Sequence, residues 1–469
     1  MEHKLLYIQT FGCQMNASDT QRIQTSLAGL GYGTTDLLER ADLIVINTCA
    51  IREKAEQKVY SFLGRLAEIK AANPQVCIAV GGCVAQQAGQ RIVKRMPHVD
   101  IVFGTHALGR LPDLVLAAQG RHHPIVDTRF SQTIEDRIVP LEPGLTSPGP
   151  SRFVTIMQGC DNYCTYCVVP HVRGREASRG PETILEEVRV LTAGGVREVT
   201  LLGQNVNSYG QKEGILSFTR LLAALNKIPE LYRIRFTTSH PKDLSPELID
   251  AFGTLSKLCR HIHLPVQSGS DEILKRMNRR YTRQDYLDKI AQLRVTCPDI
   301  AITTDFIVGF PGETESDFEA TLDLARQVQF DGLFAFKYSD REGTPASQFK
   351  NKLPEALKQE RLAKLLAYQD QVNLKRNRSL IGSCQEVLVD GFSKKSGGRH
   401  TGGQWSGRTP CNRIVNFPLA APGASKEALV IGRLLAVKIE DAFVHSLKGA
   451  PIHHPTDASG MKGALCHAV

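Results

Sequence analysis

The chain has 469 residues, 42% of them hydrophobic and 22% charged, with a net charge of +9. That length and balance predict two to four globular domains, each able to bury its own core. No apolar run approaches the roughly 20 residues of a membrane span. The apolar stretch after Met1-Glu2-His3-Lys4 is too short for a signal peptide, so a cytoplasmic protein is expected. Twelve cysteines in such a chain point to metal or redox chemistry, because disulfides are disfavoured there. The charge would suit a polyanionic partner without establishing one.

The N-terminal third repeats one pattern. Apolar runs at 5–8, 43–46 and 77–80 read as strands that end at Gly12-Cys13, Thr48-Cys49 and Gly82-Cys83, and a fourth at 100–103 runs into Gly104-Thr105. Helical stretches separate them, the first with Asn16-Ala17-Ser18-Asp19 as its expected N-cap. Strands alternating with helices predict a parallel, Rossmann-like sheet over residues 3–120, with ligands beyond the carboxyl ends of the strands. All three cysteines lie at that edge. Residues 121–150, with Pro140, Pro143, Gly144, Pro148, Gly149 and Pro150, read as a linker.

A second alternating series covers 151–378. Strands are expected at 153–157, 198–202, 233–237, 261–265, 302–308 and 332–336, each followed by a helix, with Pro181 at the first helical position. Six such units predict an open (β/α)6 barrel, three-quarters of the eightfold one, with functional residues on the loops after the strands. A long helix from about 354 to 378 closes it. Short β-type runs at 385–389, 413–415 and 430–439 predict a small all-β domain over 379–446. Eleven Lys/Arg against five Asp/Glu between Arg376 and Ala450 give this end +6 of the chain's +9. Residues 447–469 have no periodicity and are expected to be disordered. The fold class is therefore α/β with an all-β domain appended.

The sharpest chemical signal is Cys160-Asp-Asn-Tyr-Cys164-Thr-Tyr-Cys167, directly after the first barrel strand. Three thiolates on a four-iron cluster leave one iron open, a position that the amino and carboxylate groups of S-adenosylmethionine (SAM) can fill. Zinc, which normally takes four ligands, and buried free cysteines are the competing readings. Cys13, Cys49 and Cys83 at adjacent strand ends can converge on a second metal site, against three buried thiols as the alternative. The other six cysteines lack ligand spacing. Loop residues after the second to fifth barrel strands, Gln204 and Asn205, Ser239, Gln267 and Ser268, Gly309 and Pro311, are candidates for holding SAM, with turn formation as the alternative at each. Arg173 and Arg175 suit RNA phosphate or the SAM carboxylate, or a solvated loop. Trp405, Arg408 and Arg413 combine an aromatic with cations, as base stacking and phosphate contact require, although a generic β surface could carry them too.

The CxxxCxxC segment resembles that of the radical-SAM superfamily. Phe11-Gly-Cys-Gln-Met-Asn16, Asn47-Thr-Cys-Ala-Ile-Arg52 and Gly81-Gly-Cys-Val-Ala-Gln86 resemble the methylthiotransferase N-terminal domain, and Gln158–Glu176 has the form typical of its tRNA-modifying branch. The last domain resembles a TRAM module, an RNA-binding β-barrel. The resemblance covers residues 3–445. It implies two [4Fe–4S] clusters, one on each cysteine triad, and SAM as cofactors. It further implies methylation of sulfur at the Cys13/Cys49/Cys83 site, radical cleavage of SAM at the other, and methylthio transfer to carbon 2 of an isopentenyl-adenosine in a tRNA anticodon stem-loop. An electron donor and a sulfur source or cluster carrier would be partners. The Gly-Gly-Glu usual after the second strand of the superfamily is Gly203-Gln204-Asn205 here, without the acid. A sibling methylthiotransferase acting on threonylcarbamoyl-adenosine or a ribosomal protein, and a non-catalytic RNA-binding iron–sulfur protein, are the alternatives. Removing residues 380–450 is expected to weaken tRNA binding and spare SAM cleavage.

Overall fold

Leu43–Thr48 has no exposed residue, as a strand with helices on both faces requires. It is the third strand, β3, of a six-stranded parallel sheet in the computed structural model, which describes residues 4–50, 53–120, 123–131, 149–393, 404–418 and 431–452. The others are β1 (Lys4–Thr10), β2 (Tyr32–Thr34), β4 (Cys77–Gly82), β5 (Ile101–Phe103) and β6 (Ile125–Asp127), in the order β2-β1-β3-β4-β5-β6. Ile44, Ile46, Val80 and Val102 face one apolar layer; Leu43, Val45, Ala79 and Ile101 face the other. The edge strand β2 (Tyr-Gly-Thr) escapes the sequence reading because it holds no apolar run, and β6 because it falls inside the expected linker. The linker residues 132–148 lie outside the described residues.

Barrel strands β7 (Ser151–Thr155), β10 (Glu198–Leu202) and β11 (Arg233–Phe236) form one parallel triplet, and β12 (His261–His263), β13 (Ala301–Val308) and β14 (Gly332–Lys337) another. Between β7 and β10 a short hairpin pairs β8 (Met157–Gln158) with β9 (Ala177–Ser178). A bridge from Ile234 to Leu258 and the Cys259 N–H to the Ile234 carbonyl (2.9 Å) join the two triplets. Among the described residues β7 and β14 do not pair, so the barrel is open there. Its helices pack on a continuous apolar layer that includes Val154, Leu201, Phe236 and Phe306. Pro181 stands at the start of helix Pro181–Ala193.

The chain ends in a closed five-stranded barrel of β15 (Cys384–Phe392), β16 (Gln404–Arg408), β17 (Ile414–Pro418), β18 (Leu434–Ala442) and β19 (Leu447–Pro451). Residues 447–451, expected to be disordered, are thus a barrel strand paired with β17 and β18. Residues 453–469 lie outside the described residues. No described helix is long and apolar enough to cross a membrane.

This small barrel plugs the large one. The turn from Arg408 to Arg413 covers the amino-terminal ends of the large-barrel strands. Arg233 donates to the carbonyls of Arg408 (2.6 Å) and Glu386 (3.2 Å), and Arg235 to those of Thr409 (2.6 Å) and Pro410 (2.9 Å). Arg235 also pairs with Glu198 at 2.9 Å, both buried. Arg413 pairs with Asp331 (2.6 Å) and bonds Asn377 (2.7 Å), whose amide in turn reaches the Phe443 carbonyl. One mouth is therefore shut by protein, and chemistry is confined to the other.

Candidate iron–sulfur and SAM site

The open mouth is where β7, β10 and β11 end. Gly159 brings the chain from β8 into the cysteine loop at φ +79°, and a Cβ there would lie 2.0 Å from the Arg175 carbonyl, so only glycine fits. Its N–H donates to Gln204 Oε1 at 2.5 Å. The loop is then held from the segment after helix Asp271–Arg276. The Thr165 N–H and hydroxyl donate to the carbonyls of Met277 (3.1 Å) and Arg276 (2.9 Å), and Asn278 Nδ2 donates to the Tyr163 carbonyl (3.0 Å). Lys242 Nζ reaches Asn162 Oδ1 at 2.7 Å. Arg279 Nη1 lies 3.3 Å from Cys164 Sγ. Burial pushes the Cys160 thiol up to about 11 and the Cys167 thiol up to about 12. Cys160 and Cys167 therefore stay protonated near neutral pH unless a cation takes them.

The second triad stands at the ends of β1, β3 and β4, three neighbouring parallel strands. Cys13 caps helix Gln14–Ala28 and Cys83 opens helix Cys83–Ala88. Asn16, expected as an N-cap, lies inside the first helix instead. Fully buried, it bonds Asn47 Oδ1 (2.9 Å) and the Thr48 carbonyl (2.8 Å), tying the first strand end to the second. Gly12 sits so close that a Cβ would meet Cys49 Cβ at 2.4 Å. The Cys49 hydrogen bond draws the Cys13 thiol down to about 6, and Arg173 adds to this against burial. Burial raises the Cys83 thiol. Alkylation of the metal-free protein by iodoacetamide should therefore start at Cys13. Thiolate is present above the pKa, so the Cys13 rate should be on a plateau near pH 7 and fall roughly tenfold by pH 5. Peptide mapping that finds Cys13 no faster than Cys160 at pH 7 would contradict this.

The strand end that carries Cys83 packs across the domain junction on the segment that follows the first triad. Ala50, Cys83 and Val84 pack on Val168 and Val172, which follow Cys167 directly. Thr105 donates to the Val172 carbonyl (2.6 Å), and Ser18 and Thr155 share a hydrogen bond of 3.0 Å. At the centre lies Arg173, expected to meet RNA or solvent but only 3% exposed; its guanidinium pairs with Asp19 at 2.8 Å, beside Cys83 and Cys13. A phosphate cannot reach it.

The expected SAM residues divide. Gln204 is spent on the Gly159 N–H. Asn205, 1% exposed, bonds Asp243 (2.7 Å) and the His240 N–H (3.1 Å), bracing two loops. Ser268 bonds the Ser270 N–H, and Gln267 continues the strand pairing to Phe306. Gly309 lies beneath Lys358, whose Cγ a Cβ would meet at 2.4 Å, and Pro311 is buried behind it. Ser239 alone keeps a buried hydroxyl without a partner. It has company that the sequence reading passed over. Gln158 Nε2, at the end of β8, and both polar atoms of Asn207 and His240 Nε2, on the loops after β10 and β11, are likewise buried and unpartnered. Glu176, 7% exposed, bonds Ser208, the residue after Asn207, and lies close enough to Cys160 to act on its thiol; burial pushes its carboxyl up to about 7. Orphaned polar atoms around a buried carboxylate, next to a three-thiol loop, suit a polar, cationic cofactor such as SAM. Among the described residues, no three His, Cys, Asp or Glu side chains converge as ligands of a single ion would.

The RNA expectations fare unevenly. Trp405 is a core residue of the small barrel, 3% exposed and stacked on Phe392 at 4.4 Å, so it cannot stack on bases. Arg413 is consumed by Asp331 and Asn377 in the plug. Arg408 is partly exposed and bonds Asn412, and Arg175 stays 72% exposed, paired with Asp161 at 3.2 Å.

A cysteine-bearing loop at the open mouth of a six-stranded (β/α) barrel defines a radical-SAM protein. Profiles described as Radical SAM superfamily, Uncharacterized protein family UPF0004 and TRAM domain match residues 154–325, 5–104 and 378–452. The chain is 53% identical to the tRNA-2-methylthio-N(6)-dimethylallyladenosine synthase of Desulfosudis oleivorans over 96% of this chain and 97% of that protein, and 51% identical to that of Geobacter metallireducens over 95% and 98%. It belongs to the family of these synthases. Similar solved structures include the radical SAM methyltransferase TsrM from Kitasatospora setae (TM-score 0.56, 15% identity, 73% of this chain and 75% of that one). Another is the cobalamin-dependent SAM radical enzyme OxsB (TM-score 0.51, 14% identity, 79% and 56%). At such identities the likeness is of fold alone. Family membership implies [4Fe–4S] clusters and SAM as cofactors.

Proposed function

We propose that this chain adds a methylthio group to carbon 2 of the dimethylallyl (isopentenyl) adenosine beside the tRNA anticodon. The observation that carries the reading is the buried junction that packs the Cys83 strand end on the segment just after Cys167, with the Arg173–Asp19 pair buried beside Cys83 and Cys13. Cys160, Cys164 and Cys167 would hold one [4Fe–4S] cluster with SAM, and Cys13, Cys49 and Cys83 the other. When bound, these groups supply one-electron reduction of SAM together with the sulfur and methyl to be transferred.

The chain's own residues bind and orient. Glu176 would accept the SAM amino group, the part played by the acid missing from Gly203-Gln204-Asn205, while Gln158, Asn207, Ser239 and His240 offer polar atoms to the rest of the molecule. Burial keeps His240 neutral, so Nε2 serves as an uncharged hydrogen-bond group. The plug at the far mouth keeps water out from below. An anticodon-loop base is cheap to unstack and can reach the open mouth. An electron donor and a sulfur source or cluster carrier complete the partners.

Mass analysis of tRNA nucleosides from a strain lacking the gene tests reaction and substrate together. Loss of the 2-methylthio form with the isopentenyl form accumulating is expected; unchanged nucleosides, or loss of a threonylcarbamoyl derivative instead, would reject the proposal. In vitro, Cys160→Ala should abolish 5′-deoxyadenosine formation, and Cys13→Ala should abolish methylthio transfer. Glu176→Gln should weaken SAM binding roughly tenfold, as loss of one charged hydrogen bond does.

A further inference from the structure

Arg279 is 4% exposed, yet its strongest electrostatic neighbours are Tyr166, Tyr281 and Cys164, none of them a carboxylate. Its guanidinium is held on every side: Nη2 to the Pro265 carbonyl at 2.7 Å, Nε to the Tyr281 hydroxyl at 3.0 Å, Nη1 to the Tyr166 hydroxyl and to Cys164 Sγ at 3.3 Å each. The backbone is bent to deliver it. Asn278 and Arg280, on either side, have φ of +58° and +59°, a conformation that costs about 1 kcal/mol or more for a side chain like that of Arg280. The same segment clamps the cysteine loop through Met277 and Asn278.

A buried cation without a counter-charge is costly, and a guanidinium cannot escape the cost by losing its proton. Elsewhere in this chain buried arginines have acids: Arg173 has Asp19, Arg235 has Glu198 and Arg361 has Glu313. We infer that the counter-ion of Arg279 is the cluster on Cys160, Cys164 and Cys167, and that Arg279 sets that cluster's reduction potential through its hydrogen bond to Cys164 Sγ. The inference rests on the ligand set proposed above. Three thiolates leave a four-iron cluster a net anion, more negative after reduction. A fixed cation beside a ligand sulfur therefore favours the reduced state, which must form before SAM can be cleaved. Arg279 is a positioning residue: it touches a ligand atom and not the substrate.

The test uses full-length protein with Cys13, Cys49 and Cys83 changed to Ala, so that a single cluster reports. In a redox titration followed by electron paramagnetic resonance, Arg279→Gln should lower the ratio of reduced to oxidised cluster about tenfold at a given potential, a negative shift of about 59 mV for a one-electron couple. Iron content should stay at the parent's level. An unchanged or more positive midpoint in iron-loaded Arg279→Gln overturns the inference. Should that variant take up no iron, the parent labelled with 15N-arginine decides. A nitrogen hyperfine coupling to the reduced cluster supports the hydrogen bond, and its absence rejects it. Cys160→Ala in the same background should show no signal; a persisting signal would refute the ligand assignment and leave Arg279 aside.

Discussion

A chain ended after Arg378 is expected to lose the folded large barrel, and SAM cleavage with it. The modular picture from sequence anticipates weaker tRNA binding with cleavage spared. The plug reverses that expectation. Four carbonyls of the small barrel, those of Glu386, Arg408, Thr409 and Pro410, accept from Arg233 and Arg235 at the base of β11, and Arg413 covers Asp331. Without them the amino-terminal mouth opens to water beneath the site. The point version of the experiment is Arg235→Ala. It leaves Glu198, 3% exposed, as an uncompensated buried carboxylate. Breaking such a pair costs roughly 3–5 kcal/mol, a large part of a typical domain's stability, and should lower the melting temperature by about 10 °C. Calorimetry and 5′-deoxyadenosine assays on both proteins provide the measurement. A truncated chain that melts with the parent and cleaves SAM at the parent's rate would show the domains to be independent.

Arg173→Ala should be the second severe variant. Its pair with Asp19 has both side chains 4% exposed, and the guanidinium also lies beside Cys83 and Cys13. Stability should fall by roughly 3–5 kcal/mol because Asp19 is left buried and unpaired. The damage should be lopsided. The loop of Cys160, Cys164 and Cys167 is braced by Met277–Arg279, so the iron proposed there should survive, whereas the proposed Cys13/Cys49/Cys83 site loses its neighbouring cation and its wall. Anaerobically reconstituted Arg173→Ala should thus carry about half the parent's iron, cleave SAM and fail at methylthio transfer. Replacing both partners by apolar residues, Asp19→Leu with Arg173→Met, should recover much of the stability and none of the transfer. Full iron loading with normal transfer in Arg173→Ala would dismiss this role.

Which features were legible follows from how local they are. CxxxCxxC is eight residues long, and a three-thiol loop after a strand carries its chemistry in its spacing. The parallel strands were readable where an apolar run ended at a Gly or a polar loop; β2 (Tyr-Gly-Thr), with no such run, and β6, inside a Pro- and Gly-rich linker, were not. In the small barrel, β16 (Gln-Trp-Ser-Gly-Arg) alternates buried and half-buried residues too weakly to declare itself, so its tryptophan passed for an RNA contact when it belongs to the core. A run of aromatic and cationic residues looks the same on an RNA-binding face and at a domain joint; only the position of Asp331 and the carbonyls around Arg235 separates the two.

The sequence by itself determined the thiols and their grouping by strand end. Tertiary structure decided the charges around them. Asp19 and Arg173 are 154 residues apart, Cys164 and Arg279 115, and Arg235 and Thr409 174. No local pattern encodes such partners. Whether an arginine meets phosphate, a carboxylate or an iron–sulfur cluster depends on what the fold buries beside it, because burial makes an unpaired charge too costly to leave alone.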